Sequence, residues 1–521
     1  MIKIKLKIAL FLLAGWAVGA LAQNVDNDEA GLDALFKVTS VPLFDRTLSV
    51  NPYDFRQVLA NSGIPSSQVS FYVQPVNGDA PLVAQNASRA QNPASTIKLV
   101  TSYAALKTFG ADYQWRTELL SEGQPDDNGV LSQPLYLKGS GDPQLVVEKV
   151  QELIQGLSQS GVKELRAPIV IDRSIFKDER QDAASFDDAP SMPYNAQPDA
   201  ALMNFHAISF NFDPVVQTVD TVPKLAQFIL NNNVQWIDGA CPADGWKSTV
   251  RLNNTSFGAM IDGRYYSGCG AQQWHIHAYQ MSANDYAQGI LAGFMPKPTS
   301  CCDSRTLDQS CSTRDMICDF KYIPNQLIWQ TPNVQSGITP SRAVVLAGVS
   351  SNSLSAQLKD MNHYSNNVMA RQVYLDLSAK TEGQGSLNAS ARVVNNVLAQ
   401  QGLSTRSLAM GNGSGLSRVT AISAQDLGLI LVKASNEAAL YDSLPIIGIS
   451  GTVKNRLKDT DMVGRGRIKT GTLNDVRAIA GYIDGKSGVR YAVVSIIQGT
   501  SAQTAEGRRL HDVFMQWVGE Q

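Results

Sequence analysis

The most regular hydrophobic patterning lies in the last third of the chain. Arg477 to Asp484 and Arg490 to Gln498 alternate β-favouring residues on either side of Asp484-Gly-Lys-Ser-Gly488, which predicts two strands paired as a hairpin. Apolar residues at helical spacing predict helices over 354–377, on both sides of Ser365-Asn366-Asn367, over 389–401, over 424–434 and over 502–518. Near the other end, Val69 to Val73 and Leu82 to Ala84 are short apolar runs joined through Asn77-Gly78-Asp79. Asn-Gly tolerates the positive φ of a tight turn, so these read as a second hairpin. Pro93 then precedes Ile97, Leu99, Val100, Tyr103, Ala104 and Leu106, which predicts a helix starting at about Ser95. Glu29 to Thr39 can form a further short helix.

Between about Leu119 and Pro340 the texture changes. Short strands such as Pro134 to Lys138 and Pro168 to Ile171 are separated by loops rich in Asp, Pro and Ser, including Asp182 to Pro198. No fixed period repeats. Strands at both ends with helices between them, and this different stretch in the middle, predict one α/β domain interrupted by one or two inserted domains.

Length and composition agree. A chain of 521 residues is expected to form about two to four domains. With 44% hydrophobic and 17% charged residues it can bury sizeable cores and is not disordered. A formal charge of −2 gives no bias toward nucleic acid or an anionic membrane surface. Lys3, Lys5 and Lys7 precede a largely apolar Ile8 to Ala20 and the small-residue site Ala20-Leu21-Ala22, the pattern of a secretory signal peptide over residues 1–22. Its apolar core is shorter than the roughly 20 residues needed to span a bilayer. The expectation is export and cleavage before Gln23, with no membrane anchor afterwards.

Export changes the meaning of the cysteines. Cys241, Cys269, Cys301, Cys302, Cys311 and Cys318 all fall within one stretch and none lies elsewhere. In an oxidising compartment they read as up to three disulfides of open connectivity. Zinc is disfavoured despite His275 and His277, because no C-x-x-C is present and the spacings are irregular.

Three short patterns could carry chemistry: Ser95-Thr-Ile-Lys98, Ser365-Asn-Asn367 and Lys469-Thr-Gly-Thr472. Each type also occurs elsewhere, Ser-x-x-Lys at Ser160 to Lys163 and Ser174 to Lys177, Ser-x-Asn at Ser49, Ser282, Ser350 and Ser386, and a Lys-Ser-Gly at Lys486 to Gly488. Context selects among the copies. Ser95 and Lys98 lie one turn apart at a helix start, where the Ser95 N–H faces outward and partial positive charge favours an oxyanion. Lys469-Thr-Gly471 precedes the strand hairpin, where Gly471 lets a substrate backbone approach. The Ser160 copy sits in a turn, the Ser174 copy follows a strand, and Lys486 to Gly488 is the hairpin turn itself.

A serine hydroxyl needs a base, and Lys98 serves only when neutral, well below the usual lysine value of about 10.4. Burial and a second cation, Lys469, provide the pressure: like charges about 4 Å apart cost about 4 kcal/mol at an effective dielectric near 20. Ser365 can relay a proton to the leaving amine, and Asn367 can hold the substrate amide. Lys469 and Thr470 can bind a terminal carboxylate, with the N–H groups of Ser95 and Thr472 as oxyanion hole. His363 invites a Ser-His assignment, but no G-x-S-x-G elbow accompanies it.

Ser-x-x-Lys, Ser-x-Asn and Lys-Thr-Gly are the signature of penicillin-recognising serine enzymes. Asn92 to Thr101, Leu135 to Pro143, Tyr364 to Asn367 and Gly413 to Arg418 extend the likeness. Over nearly all of the mature chain the sequence resembles the D-alanyl-D-alanine carboxypeptidase/endopeptidase family of the penicillin-binding protein 4 type. The separation of Lys98 from Ser365, 365 − 98 = 267 residues, is far longer than in β-lactamases, and this family is similar in carrying two extra domains there.

The resemblance implies an α/β (α+β) penicillin-binding/β-lactamase-like domain with a central antiparallel sheet flanked by helices. That domain would comprise 23–118 and 341–521. Inserted domain II, with the cysteines, would comprise 119–138 and 199–340, and domain III 139–198. It implies Ser95 as nucleophile, Lys98 as acylation base, Ser365 and Asn367 as the second element, and Lys469, Thr470, Gly471 and Thr472 as the substrate strand. The implied substrate is the peptidoglycan stem peptide, β-lactams are covalent inhibitors, the location is the periplasm, and no cofactor is called for. A non-catalytic penicillin-binding sensor or a β-lactamase are the alternatives. Relatives often have Asp where this chain has Asn412, a change expected not to touch the catalytic core. An acid on the inserted region, Asp188 or its neighbour Asp187, is the candidate for recognising the amine of a diaminopimelate side chain.

Overall fold

A computed structural model describes residues 55–294, 328–329 and 333–521. The signal-peptide segment, the expected helix over 29–39 and four cysteines, Cys301, Cys302, Cys311 and Cys318, lie outside the described residues. The other two, Cys241 and Cys269, form a disulfide.

The centre is a five-stranded antiparallel sheet. Its order is Gly466–Leu473, Val476–Asp484, Arg490–Gln498, Val69–Pro75 and Val83–Gln85. Both expected hairpins are present, and they adjoin because Arg490–Gln498 pairs with Val69–Pro75 across the length of the chain. The inner strands are buried on both faces, which is why they read as nearly continuous apolar runs. Ala478, Ala480 and Tyr482 pack with Tyr72, Ala492 and Val494 against the helices Lys98–Phe109, Asn367–Glu382 and Ala424–Ala434. Ile479, Ile483, Phe71 and Val493 face the other way, onto Leu510, Phe514 and Trp517 of the closing helix Ala505–Gly519. The start of the Ser95 element departs from expectation. A 3₁₀ turn, Ala94–Ile97, precedes the α-helix proper at Lys98–Phe109.

The inserted stretch has its own core, centred on Leu135, Leu137, Ile169 and Ile171 beneath Val150, Leu153 and Leu157 of the helix Val147–Gln159. A second five-stranded sheet runs in the order Val334–Gly337, Ile169–Asp172, Leu135–Lys138, Arg116–Ser121 and Val344–Ser350. One sheet therefore takes strands from both stretches that the resemblance assigns to separate inserted domains, and from the segment after residue 341. Among the described residues no helix is long and apolar enough to cross a membrane.

The inserted stretch grips the helix Asn367–Glu382. Gln372 Nε2 donates to the carbonyls of Gly141 (3.2 Å) and Asp199 (2.9 Å), and its Oε1 accepts from the Asp199 N–H at 3.0 Å. Asp376 lies at the same contact and accepts from Trp115 Nε1 at 2.9 Å. Burial pushes the Asp376 carboxyl well above its ordinary value, helped by the nearby Asp142, which burial also raises, to about 6. The folded state therefore holds protons that the unfolded chain releases once pH exceeds about 4, and stability is lost as pH rises through the folded values. Asp376→Asn is expected to raise the melting temperature at pH 8 by about 2 °C, with the gain shrinking toward pH 5. Calorimetry at the two pH values checks this, and a lower melting temperature at pH 8 would contradict it.

Candidate active site

Three chain segments converge at the edge of the central sheet. The 3₁₀ turn Ala94–Ile97 carries Ser95, half-buried, and Lys98 follows it, fully buried, at the first position of the α-helix. Between the helices Leu354–His363 and Asn367–Glu382 runs a loop in which Ser365 has φ +55°. Asn366 caps the second helix by accepting from the Met369 N–H at 3.0 Å. Capping fixes that helix start and so places Asn367. The edge strand Gly466–Leu473 brings Lys469, also fully buried. A Cβ on Gly471 would lie 2.8 Å from the Ser95 nitrogen and 2.9 Å from the Pro93 oxygen, so only glycine lets this strand run so close to the serine.

Lys98 Nζ lies 2.8 Å from Ser95 Oγ, 2.6 Å from Asn367 Oδ1 and 2.7 Å from the Ser414 carbonyl oxygen. Lys469 Nζ contacts Ser365 Oγ at 2.7 Å and the Thr470 carbonyl at 2.9 Å. The two lysines thus serve different hydroxyls. Ser95, Lys98, Ser365, Asn367, Lys469, Thr470 and Gly471 are brought together, with Thr472 next along the strand. The other copies of the patterns stay apart from them. Ser160 caps the helix Val147–Gln159, Ser174 follows the strand Ile169–Asp172, and Lys486 is an exposed turn residue paired with Glu520 and Asp461.

The Asn412 segment is where expectation and structure part. It was expected to stay clear of the catalytic core, yet its turn delivers the Ser414 carbonyl to Lys98. The turn is built from within. Asn412 Oδ1 accepts from Ser414 Oγ (2.9 Å) and the Ser414 N–H (3.2 Å), and Asn412 Nδ2 donates to the Leu416 carbonyl at 2.8 Å. An aspartate could make the first two bonds but not the third. Thr101 Oγ1 donates to the Gly413 carbonyl at 2.7 Å, and Asn92 Nδ2 to the Ser417 carbonyl at 2.9 Å. Gly415, at φ +88°, leaves room for the backbone of Ala94, whose oxygen would stand 2.1 Å from any Cβ there. The Gly-Ser-Gly spacing was the available signal.

Asp188 does not line the cleft beside this turn. It is exposed, at φ +58°, in a loop tied together by its neighbour. Asp187 accepts from Tyr194 Oη and Asn195 Nδ2, each at 2.8 Å. The cleft itself, about 570 Å³, is bounded by Phe186, Arg371, Asn412, Leu416 and Arg418, and the acids along its wall are Glu179 and Asp182. The Arg418 guanidinium stacks over the Phe186 ring at 4.8 Å. His363 turns its ring to the carbonyls of Lys359 and Ser443 and to Ser450 Oγ, and no contact with Ser95 is among these.

Known proteins are similar to this chain in sequence and fold. The D-alanyl-D-alanine carboxypeptidase of Actinomadura sp. (strain R39) is 28% identical over 409 residues, covering 76% of this chain and 71% of that protein. The crystal structure of penicillin-binding protein 4 (dacB) from Haemophilus influenzae superposes with a TM-score of 0.68 at 20% identity, over 91% of this chain and all of that one. The same Haemophilus protein complexed with a novel β-lactam superposes with a TM-score of 0.63 at 21% identity, over 87% of this chain and 96% of that one. Residues 53–265 and 320–520 match the D-Ala-D-Ala carboxypeptidase 3 (S13) family, and the chain belongs to that family of peptidases.

Proposed function

We propose that this chain is an exported serine peptidase that cleaves the D-alanyl end or the D-alanyl crosslink of peptidoglycan stem peptides through an acyl-enzyme on Ser95, and that β-lactams trap it by acylating the same hydroxyl. The observation that carries the reading is the environment of Lys98 Nζ. The Asn367 amide oxygen and the Ser414 carbonyl can only accept, so they take two N–H groups. A neutral amine then keeps its lone pair for the proton of Ser95 Oγ, 2.8 Å away. That is the geometry of a general base.

In the reaction, Ser95 Oγ attacks the carbonyl of the penultimate D-alanine while its proton passes to Lys98. The N–H groups of Ser95 and Thr472 hold the oxyanion. The C–N bond breaks, the leaving amine takes a proton by way of Ser365, and water later hydrolyses the ester. Lys469 and Thr470 hold the terminal carboxylate. Pro445 and Ile447 already bond the outer edge of the strand Gly466–Leu473 at Ile468 and Gly466, and an extended peptide would continue that edge from Thr470 onward, the mode of strand addition. The cleft beside Arg418 and Asp182 suits a side chain carrying both a carboxylate and an amine.

The test uses protein recovered from the periplasmic fraction, whose first residue is expected to be Gln23. Incubated with purified muropeptides, it should shorten pentapeptides by one D-alanine, split D-alanyl crosslinked dimers, or both, as read by mass spectrometry. Stoichiometric penicillin labelling with no peptide product would instead make it a non-catalytic sensor, and rapid penicillin turnover a β-lactamase.

A further inference from the structure

One hydroxyl beside the third motif has no role in the scheme above. Thr470 Oγ1 donates to Thr452 Oγ1 at 2.9 Å. Among the described residues this is the one side-chain hydrogen bond of Thr452, and it is made as acceptor, so the Thr452 proton is left to donate. The residue is half-buried and lies in the 3₁₀ turn Gly451–Val453, beside the carboxylate end of the site.

The turn is held rigidly. His363 Nδ1 lies 2.9 Å from the Ser443 carbonyl and 3.1 Å from the Lys359 carbonyl. Two acceptors require a proton on Nδ1, which leaves Nε2 bare to accept from Ser450 Oγ at 3.2 Å. Ser450 Oγ in turn accepts from the Ile446 N–H at 3.1 Å. Burial lowers the His363 pKa and so favours this neutral tautomer. Val453 is fully buried, and its carbonyl accepts from the Gly448 N–H at 3.0 Å. Rigid support of this kind lets a single donor discriminate.

We propose that Thr452 is a specificity-determining residue whose hydroxyl donates to the terminal carboxylate of the substrate, as the second hydroxyl of a relay running Thr470 to Thr452 to carboxylate. A hydroxyl that accepts one hydrogen bond donates more strongly, and an ionised acceptor draws the shorter, stronger bond. The proposal rests on Lys469 and Thr470 forming the carboxylate end, with the Thr470 hydroxyl acting through Thr452 because its one proton is donated there.

Penicillin G and its methyl ester separate this role from the general one, because the ester lacks the anion. Thr452→Val is expected to slow acylation by penicillin G about tenfold, the loss of one charged hydrogen bond, and to leave acylation by the ester unchanged. It should raise KM for a D-Ala-D-Ala pentapeptide by a similar factor with kcat within about twofold, and Thr452→Ser should restore both. Wild-type rates with penicillin G for Thr452→Val, equal slowing with both compounds, or a serine variant as impaired as the valine would each overturn it. A wild-type protein acylated by neither compound would overturn the functional reading itself.

Discussion

Ser95→Ala is expected to abolish covalent labelling by penicillin and to cut D-alanine release by about 10⁴-fold or more. The protein should remain folded, because Ser95 is half-buried and makes no contact on which the core depends. Its Oγ meets Lys98 Nζ, and Lys98 retains the Asn367 and Ser414 oxygens in the variant. Intact-mass spectrometry after incubation with penicillin measures the first effect and circular dichroism the second. An adduct of penicilloyl mass on the variant would remove Ser95 as nucleophile, and with it the reading of the three segments as one site.

Lys98→Ala should be nearly as severe while leaving the nucleophile in place. With no base the hydroxyl must lose its proton to water, and positioned general bases are worth about 10² to 10⁴-fold. The expected result is acylation slowed by about 10³-fold at pH 7.5, with adduct still accumulating on Ser95 over long incubation. The substitution also empties a fully buried position beside two acceptors, so thermal stability should be followed in parallel. Acylation at the wild-type rate by a folded variant would assign the base elsewhere, and Lys469, on Ser365 Oγ at 2.7 Å, would be the next candidate.

Much of the site could be read before any coordinates. Ser95 and Lys98 are one turn apart, Ser365 and Asn367 bracket a helix cap, and Lys469 to Thr472 lie on one strand. Such relations depend on short spacings, and short spacings survive in sequence. The Ser414 carbonyl escaped because it is a backbone group 316 positions from Lys98 and leaves no side-chain signature. Asn412 leaves as little trace, since what it positions is a main-chain turn. Thr452 meets Thr470 only because the turn Gly451–Val453 folds against the edge strand, and nothing in Ser450-Gly-Thr452 announces that contact. Charge alone points to Asp188. A backbone that turns the other way can send one of two adjacent carboxylates into a hydrogen-bond network and leave its neighbour in solvent.

The sequence by itself determined the antiparallel hairpin around Asp484 to Gly488, the helices behind it and the three short motifs that the fold brings together. Each of these is encoded in a local periodicity or in side-chain chemistry. Tertiary structure alone decided how the inserted strands pair, with Leu135–Lys138 lying parallel to Ile169–Asp172 and antiparallel to Arg116–Ser121. It also decided that the same insert clamps the helix beginning at Asn367, through Gln372. Strand pairing and docking are set by burial summed over residues far apart in the chain, and no short window of sequence contains both partners.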